Sequence, residues 1–198
     1  MNPIFTLQYG EFFTADYLKN RSKNYSVFIP TSSNEKGVDL LLYNDNTKSL
    51  ITIQVKSARP FFGEREYDED NSKNKIVSSC HYRFPVYYNR TQADWHVFVC
   101  YAFNERFIAS KKKKDRWDSV MFLFSKKEID DCFCELKDSK GNREKYFEIS
   151  IDDNENAYIT RGYGKKTAKP INSHLIDKKY KEIFEKSARK IEKERITE

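Results

Sequence analysis

Tyr9, Phe12, Phe13 and Tyr17 recur at spacings of three and four, which describes one face of an amphipathic helix; Glu11 lies within it. Tyr25, Val27 and Ile29 then alternate up to Pro30. This pattern predicts a short strand running into a polar loop that ends near Gly37. Val38 to Tyr43 and Leu50 to Lys56 are apolar or β-branched runs around the turn-rich Asn44-Asp45-Asn46-Thr47-Lys48-Ser49, which predicts a β-hairpin. The polar stretch from Ala58 to Lys75 contains Gly63 and Asp68-Glu69-Asp70, and it predicts a long loop able to close over a ligand. Strand patterns follow at Tyr82 to Tyr88, His96 to Phe103, Ser119 to Phe124, Tyr146 to Ile151 and Ala157 to Thr160. Ser125 and Glu128 form an S-x-x-E capping box for a helix through about Cys134,. After Pro170, Ile176, Tyr180, Ile183, Phe184 and Ile191 predict a long closing helix with a charged outer face. The succession of helices and strands predicts an α/β fold with no internal repeat or heptad pattern.

At 198 residues the chain suits one core of ordinary size,. A single domain is expected over 1–198, with its body at about 8–160 and a basic helical segment at 161–198. With 13 Tyr and 15 Phe the chain is too rich in aromatic residues to stay disordered,. The longest apolar stretch, Val97 to Phe103, is seven residues, far short of the ~20 a membrane-spanning helix requires. The amino-terminal MNPIFTLQYGEFF lacks the basic, apolar and small-residue succession of a secretory signal, so a cytoplasmic address is expected. The 4 Cys are then expected as free thiols,. Cys132 and Cys134 do not have CxxC spacing, and Cys80 with His81 would be a distant second half, so structural zinc is disfavoured,. His81, His96 and His174 show no paired metal spacing, and His96 reads as a core or strand residue.

The net charge of +6 resides in residues 161–198, which hold 12 basic and 6 acidic side chains. A basic segment on a neutral body suits a polyanion such as DNA, whose counterions are released as Lys and Arg approach phosphates. A solvated charged helix accounts for the same charge equally well.

The hairpin carries the candidate chemistry. Side chains alternate along a strand, so Gln54 and Lys56 share one face of the second strand while Ile53 and Val55 point to the other. A turn centred between Asn46 and Thr47 puts Asp39 opposite Gln54 and Gly37 opposite Lys56. A carboxylate, an amide oxygen and an ammonium would then converge, whereas a slip of one residue would separate Asp39 from Gln54. Phosphodiester hydrolysis uses such a set: oxygen ligands for a hard divalent ion and a cation beside the attacking water or the charged phosphorane. Asp39, the Gln54 side-chain oxygen and the Val55 carbonyl are the candidate ligands for Mg²⁺ or Mn²⁺. Lys56 is the candidate to orient the nucleophile, and Glu11 the extra carboxylate, as ligand or as base through water.

These residues, Glu11, Gly37-Val38-Asp39-Leu40-Leu41-Leu42 and Ile51-Thr52-Ile53-Gln54-Val55-Lys56-Ser57, resemble the PD-(D/E)xK nuclease superfamily, which includes restriction endonucleases and Holliday-junction resolvases. The match covers roughly residues 8 to 57. It implies a restriction-endonuclease-like core, a mixed β-sheet flanked by α-helices, and Mg²⁺-dependent DNA cleavage. In that pattern Asp39 matches the first metal-binding acid, Gln54 the second acidic position, Lys56 the catalytic lysine and Glu11 the acid of the amino-terminal helix. Val38 stands where the motif has proline, and Gln54 removes one negative charge from the metal site.

Further candidates for DNA contact are Ser32, Ser33 and Ser57, whose hydroxyls flank the hairpin, and the basic run Lys111, Lys112, Lys113, Lys114 and Arg116,. Arg161, Lys165 and Lys166 flank Gly162 and Gly164 in a second basic turn. The expected activity is a metal-dependent endodeoxyribonuclease acting on duplex or branched DNA, as a homodimer or higher oligomer where both strands are cut. A nuclease-fold DNA-binding module without catalysis, consistent with the neutral Gln54, and a protein-interaction subunit using aromatic surface are the alternatives.

Overall fold

The computed structural model describes residues 9–30, 37–69, 75–85, 93–102, 118–135, 146–160 and 167–185. Three helices and ten strands are seen among them. The helix α1 (Tyr9–Arg21) leads into β1 (Tyr25–Phe28), β2 (Leu40–Asn44) and β3 (Ser49–Ala58). β4 (Phe61–Glu69) and β5 (Lys75–Pro85) precede β6 (Trp95–Ala102) and β7 (Asp118–Ser125), after which α2 (Lys126–Glu135) begins. β8 (Tyr146–Asp152), β9 (Ala157–Thr160), β10 (Thr167–Pro170) and a 3₁₀ turn (Asn172–His174) lead to α3, helical over residues 176–185.

Five strands form a mixed sheet in the order β1-β2-β3-β6-β7. β1, β2 and β3 are antiparallel neighbours, β6 lies parallel to β3, and β7 returns antiparallel to β6. The hairpin has the register its turn predicts, with Leu40 facing Ile53 and Asn44 facing Ser49. The Asn44 side chain fixes that turn by accepting the backbone N–H groups of Asn46 at 2.9 Å and Thr47 at 3.2 Å, the local bonding that makes Asn a turn residue. The parallel β3/β6 register has a separate clamp. The Asp94 carboxylate accepts both the backbone N–H and the hydroxyl of Thr52 at 2.8 Å, and Thr52 Oγ1 accepts the Asp94 N–H at 2.9 Å.

One face of the sheet buries Ile51, Ile53, Val55, Val97, Val99 and Leu123 under Ala15 and Leu18 of α1 and Ile176 and Ile183 of α3. The other face buries Phe98, Cys100, Phe122 and Phe124 against Ile129 and Phe133 of α2. The sheet thus has helices on both sides, and β6 contributes alternate residues to each core, as a central strand must.

The remaining strands were not expected in this arrangement. β10-β4-β5-β8-β9 close into a barrel, formed largely within and after the connection from β3 to β6. The stretch 58–75 is therefore not the long loop its polarity predicts; most of it is β4, and β5 begins at Lys75, seven residues before the predicted strand. The polar look of β4 has a physical source. Its Tyr67 is buried, while Glu64, Glu66 and Asp68 face solvent. β10 was also unanticipated. In β8, Phe147, Ile149 and Ile151 join the sheet's aromatic core, whereas Glu148, Ser150 and Asp152 are the buried polar residues between them. The barrel wall and the sheet therefore share one core, in which Phe98 meets Phe147 at 4.7 Å and Phe84 at 5.0 Å.

The capping box is present: Ser125 N–H and Oγ both bond Glu128 Oε2, at 2.7 and 2.8 Å, and α2 starts there. Of the closing helix, residues 176–185 are described, and Ile191 lies outside the described residues. Among the described residues no helix is long and apolar enough to cross a membrane. Cys80, Cys100 and Cys132 are free thiols. Because one aromatic core joins sheet and barrel, Phe98→Ala is expected to lower stability by about 3–5 kcal/mol within a single unfolding transition. Denaturation followed in parallel by fluorescence and far-ultraviolet circular dichroism checks this, and two separate transitions would contradict the shared core.

Candidate active site at the open end of the hairpin

β2 begins at Leu40, and the chain enters it through Gly37, whose φ of 89° is a conformation that favours glycine,. Asp39 then closes the open end of the hairpin with two bonds. Its N–H donates to the Ile53 carbonyl at 2.9 Å, and its carboxylate Oδ2 accepts the Val55 N–H at 2.7 Å. In an extended strand the N–H and C=O of one residue point to the same edge, so the Val55 carbonyl also faces the Asp39 side.

Gln54 follows from the register. The hairpin ladder ends at Leu40 opposite Ile53, and Asp39 donates its N–H to that same Ile53; Gln54, the next residue of β3, is the direct partner of His96 in β6. Gln54 and His96 therefore stand side by side across β3 and β6, while Asp39 reaches this part of β3 through the Val55 N–H. Lys56 lies one step further along the same face as Gln54, opposite Phe98 of β6, and is only partly buried, whereas Gln54 is 7% exposed.

Burial raises the Asp39 carboxyl above its ordinary value, opposed by the Val55 N–H and by the Lys56 cation,. Asp39 is thus a carboxylate that burial disfavours and that a cation stabilises.

His96 is the residue that sequence reading undervalued. It is a buried strand residue, as expected, at 2% exposure, but neither ring nitrogen has a hydrogen-bond partner. Burial holds its imidazole down to about 4, so it is neutral at pH 7. Such an orphaned buried group is uncommon, and it sits beside Gln54 across β3 and β6. No signal in the sequence could have placed it there, because the neighbour relation depends on the β3/β6 pairing.

The other candidates fall differently. α1 packs on the face carrying Val55, opposite to Gln54 and Lys56. Its Gly10 abuts Ser57, since a Cβ there would lie 2.0 Å from Ser57 Oγ. The first turn of α1, with the partly buried Glu11, therefore reaches the same end of β3 but from the other side of the sheet. The Ser57 hydroxyl is turned toward α1. Ser32, Ser33, Lys111, Lys112, Lys113, Lys114, Arg116, Arg161, Lys165 and Lys166 lie outside the described residues.

No protein-family model, curated protein or solved structure matches this chain. The chemistry of the site therefore follows from its own groups. Among the described residues no set of three His, Cys, Asp or Glu side chains converges as a metal site. A divalent ion here would rely on one carboxylate, Asp39, with neutral oxygens from Gln54 and Val55. Such a set fits an ion that keeps several waters and takes further oxygens from a phosphate, as Mg²⁺ commonly does.

Two outcomes test this geometry. Asn at position 39 keeps an oxygen for the Val55 N–H and removes a charge that burial disfavours, so Asp39→Asn is expected to match or exceed the parent in thermal stability at pH 7. Asp39→Ala leaves that N–H without its acceptor and is expected to cost about 1–2 kcal/mol; equal melting temperatures for the two variants would show that the bond is not made. The second outcome concerns pH. Burial holds both His96 and His174 down to about 4 from 6.5, so between those values the unfolded chain binds more protons and stability rises with pH. Glu128, pushed up by burial but drawn down to about 2 by Lys179 and Ser125, extends the loss below 4.5. Denaturation midpoints are expected to fall as pH drops from 7 to 4, with a shallower fall in His96→Leu.

Proposed function

We propose that this chain is a metal-dependent endodeoxyribonuclease of the PD-(D/E)xK kind, hydrolysing backbone phosphodiesters of duplex or branched DNA. One observation supports the reading: the Asp39 carboxylate accepts the Val55 N–H at 2.7 Å, which ties Asp39 to the segment of β3 that holds Gln54 and Lys56. The mixed sheet with helices on both faces supports it, because that is the setting the resemblance implies for these residues.

Asp39, the Gln54 amide oxygen and the Val55 carbonyl would hold the divalent ion. When bound, such an ion lowers the pKa of a coordinated water and neutralises charge on a nonbridging phosphate oxygen. Lys56 orients the attacking water and stabilises the negative charge that develops on the phosphorus centre. Glu11 supports the water from the α1 side of the hairpin end. The buried surround of Gln54 restricts water around the reacting groups, which strengthens each of these interactions. One site cuts one strand, so cleavage of both strands calls for a twofold assembly.

A specific observation favours a second reading. The Asp39 carboxylate is already bonded to the Val55 N–H, and the neighbouring Gln54 is a neutral amide, so the same geometry suits a DNA-binding module that has lost catalysis. A plasmid-nicking assay with Mg²⁺ or Mn²⁺ separates the two. The nuclease reading expects nicking by the parent chain and a loss of about 100-fold or more in Asp39→Asn and in Lys56→Ala. Salt-sensitive DNA binding without metal-dependent nicking supports the inactive module, and nicking that survives both substitutions removes the proposed mechanism.

A further inference from the structure

His96 is the buried polar group that the proposed mechanism leaves without a task. It stands in β6 with Gln54 of β3 as its direct partner on one side and Phe124 of β7 on the other. Directly paired residues point to the same face of a sheet, and neighbouring strands lie about 4.8 Å apart. In that row the Gln54 amide is the polar side chain next to the imidazole, because Phe124 offers a ring that is itself stacked on His174 at 4.4 Å. Along β6 the same face continues with Phe98, which packs on Phe84, Phe124 and Phe147. The acids whose charge His96 feels are engaged elsewhere: Asp130 pairs with Lys126, and the Asp94 carboxylate accepts the N–H and hydroxyl of Thr52.

Both members of this pair are buried, and among the described residues neither ring nitrogen of His96 has a hydrogen-bond partner. The chemistry of an amide gives the arrangement a use. The donor and acceptor ends of a Gln side chain exchange places by a half-turn of its last torsion, which is only weakly held. A carboxylate presents oxygen to a cation at either end, whereas an amide turned the wrong way round presents its NH₂. Gln54 therefore needs something to fix its orientation if its oxygen is to face a divalent ion. With the oxygen on the ion, the NH₂ points away from it and, being buried, needs an acceptor of its own. A neutral imidazole, the form of His96 at pH 7, has one ring nitrogen with a free lone pair.

We infer that His96 is a positioning residue for Gln54: its unprotonated ring nitrogen accepts the Gln54 amide N–H and so turns the Gln54 oxygen toward the divalent ion. The inference rests on the metal site of the nuclease reading but requires no cleavage step. It also gives a reason for an imidazole buried without partners, since the bond forms when the ion fixes the amide.

The experiment is Mn²⁺ binding to the full chain without DNA, followed by calorimetry and by the electron paramagnetic resonance signal of the free ion. His96→Leu is expected to melt no lower than the parent in the absence of Mn²⁺ and to bind Mn²⁺ about tenfold more weakly, the scale on which the partners of metal ligands act. Asn and Gln each carry a carbonyl oxygen, set near the place of one ring nitrogen or the other, so His96→Asn or His96→Gln is expected to recover most of that loss. Gln54→Ala is expected to weaken binding too, and adding His96→Leu to it to weaken binding no further. Suppose instead that the parent binds and His96→Leu binds equally tightly, that neither amide variant recovers, or that the His96→Leu loss persists in the Gln54→Ala background. Any of these shows that His96 does not act through Gln54, and the metal site stands without it. If the parent binds no Mn²⁺, the metal site of the nuclease reading fails and this role fails with it. Where Gln54→Ala binds too weakly to measure, recovery by the amide variants decides. Should His96→Leu not fold, His96→Phe, next to Phe98 and Phe124 on the same face, takes its place.

Discussion

The Asp39 carboxylate on the Val55 N–H is the bond on which the site depends. It forms where β2 starts, so it does what the next residue of a longer strand would do, and it does so with a charged side chain instead of a backbone carbonyl. That choice has a consequence. A carbonyl would be neutral and would end the ladder quietly, whereas a partly buried carboxylate is disfavoured by its surroundings and draws in a compensating cation, here Lys56.

β3 connects this local feature to the rest of the molecule. It is bonded to β2 through the turn and to β6 through the Thr52–Asp94 clamp, so both of its edges are fixed by side-chain bonds outside the regular ladder. With both registers set, Gln54 has no freedom to slip from its place beside His96. One face of β3 is buried by α1 and α3, and the other meets α2 and the aromatic wall shared with the barrel. The barrel is attached where β3 leaves the sheet, since β3 ends at Ala58 and β4 begins at Phe61.

Two groups in this region stand at odds with stability. Asp39 carries a charge that burial disfavours, and His96 buries two ring nitrogens without partners. Neither improves the core, since an amide at 39 and an apolar side chain at 96 would satisfy packing at least as well. Strain of this sort concentrates where a protein binds or reacts; His96 stands directly beside Gln54, and Asp39 is bonded to the residues on either side of it, Ile53 and Val55.

The chain's local chemistry was enough to determine the hairpin. Asn44 prefers to bond its own backbone two and three residues on, the apolar residues alternate with period two, and together they allow one register, from Leu40 opposite Ile53 to Asn44 opposite Ser49. The capping box of Ser125 and Glu128 was legible for the same reason, since its partners are three residues apart. What lay beyond the sequence was every relation between distant segments: β6 beside β3, hence His96 beside Gln54; α1 on the face opposite to Lys56, hence the indirect approach of Glu11; and the closure of β4, β5, β8, β9 and β10 into a barrel. Those pairings bring together residues far apart in the chain. Alternation shows that a strand has an inner face, but it does not say which other strand will cover it, and only the packed molecule decided that.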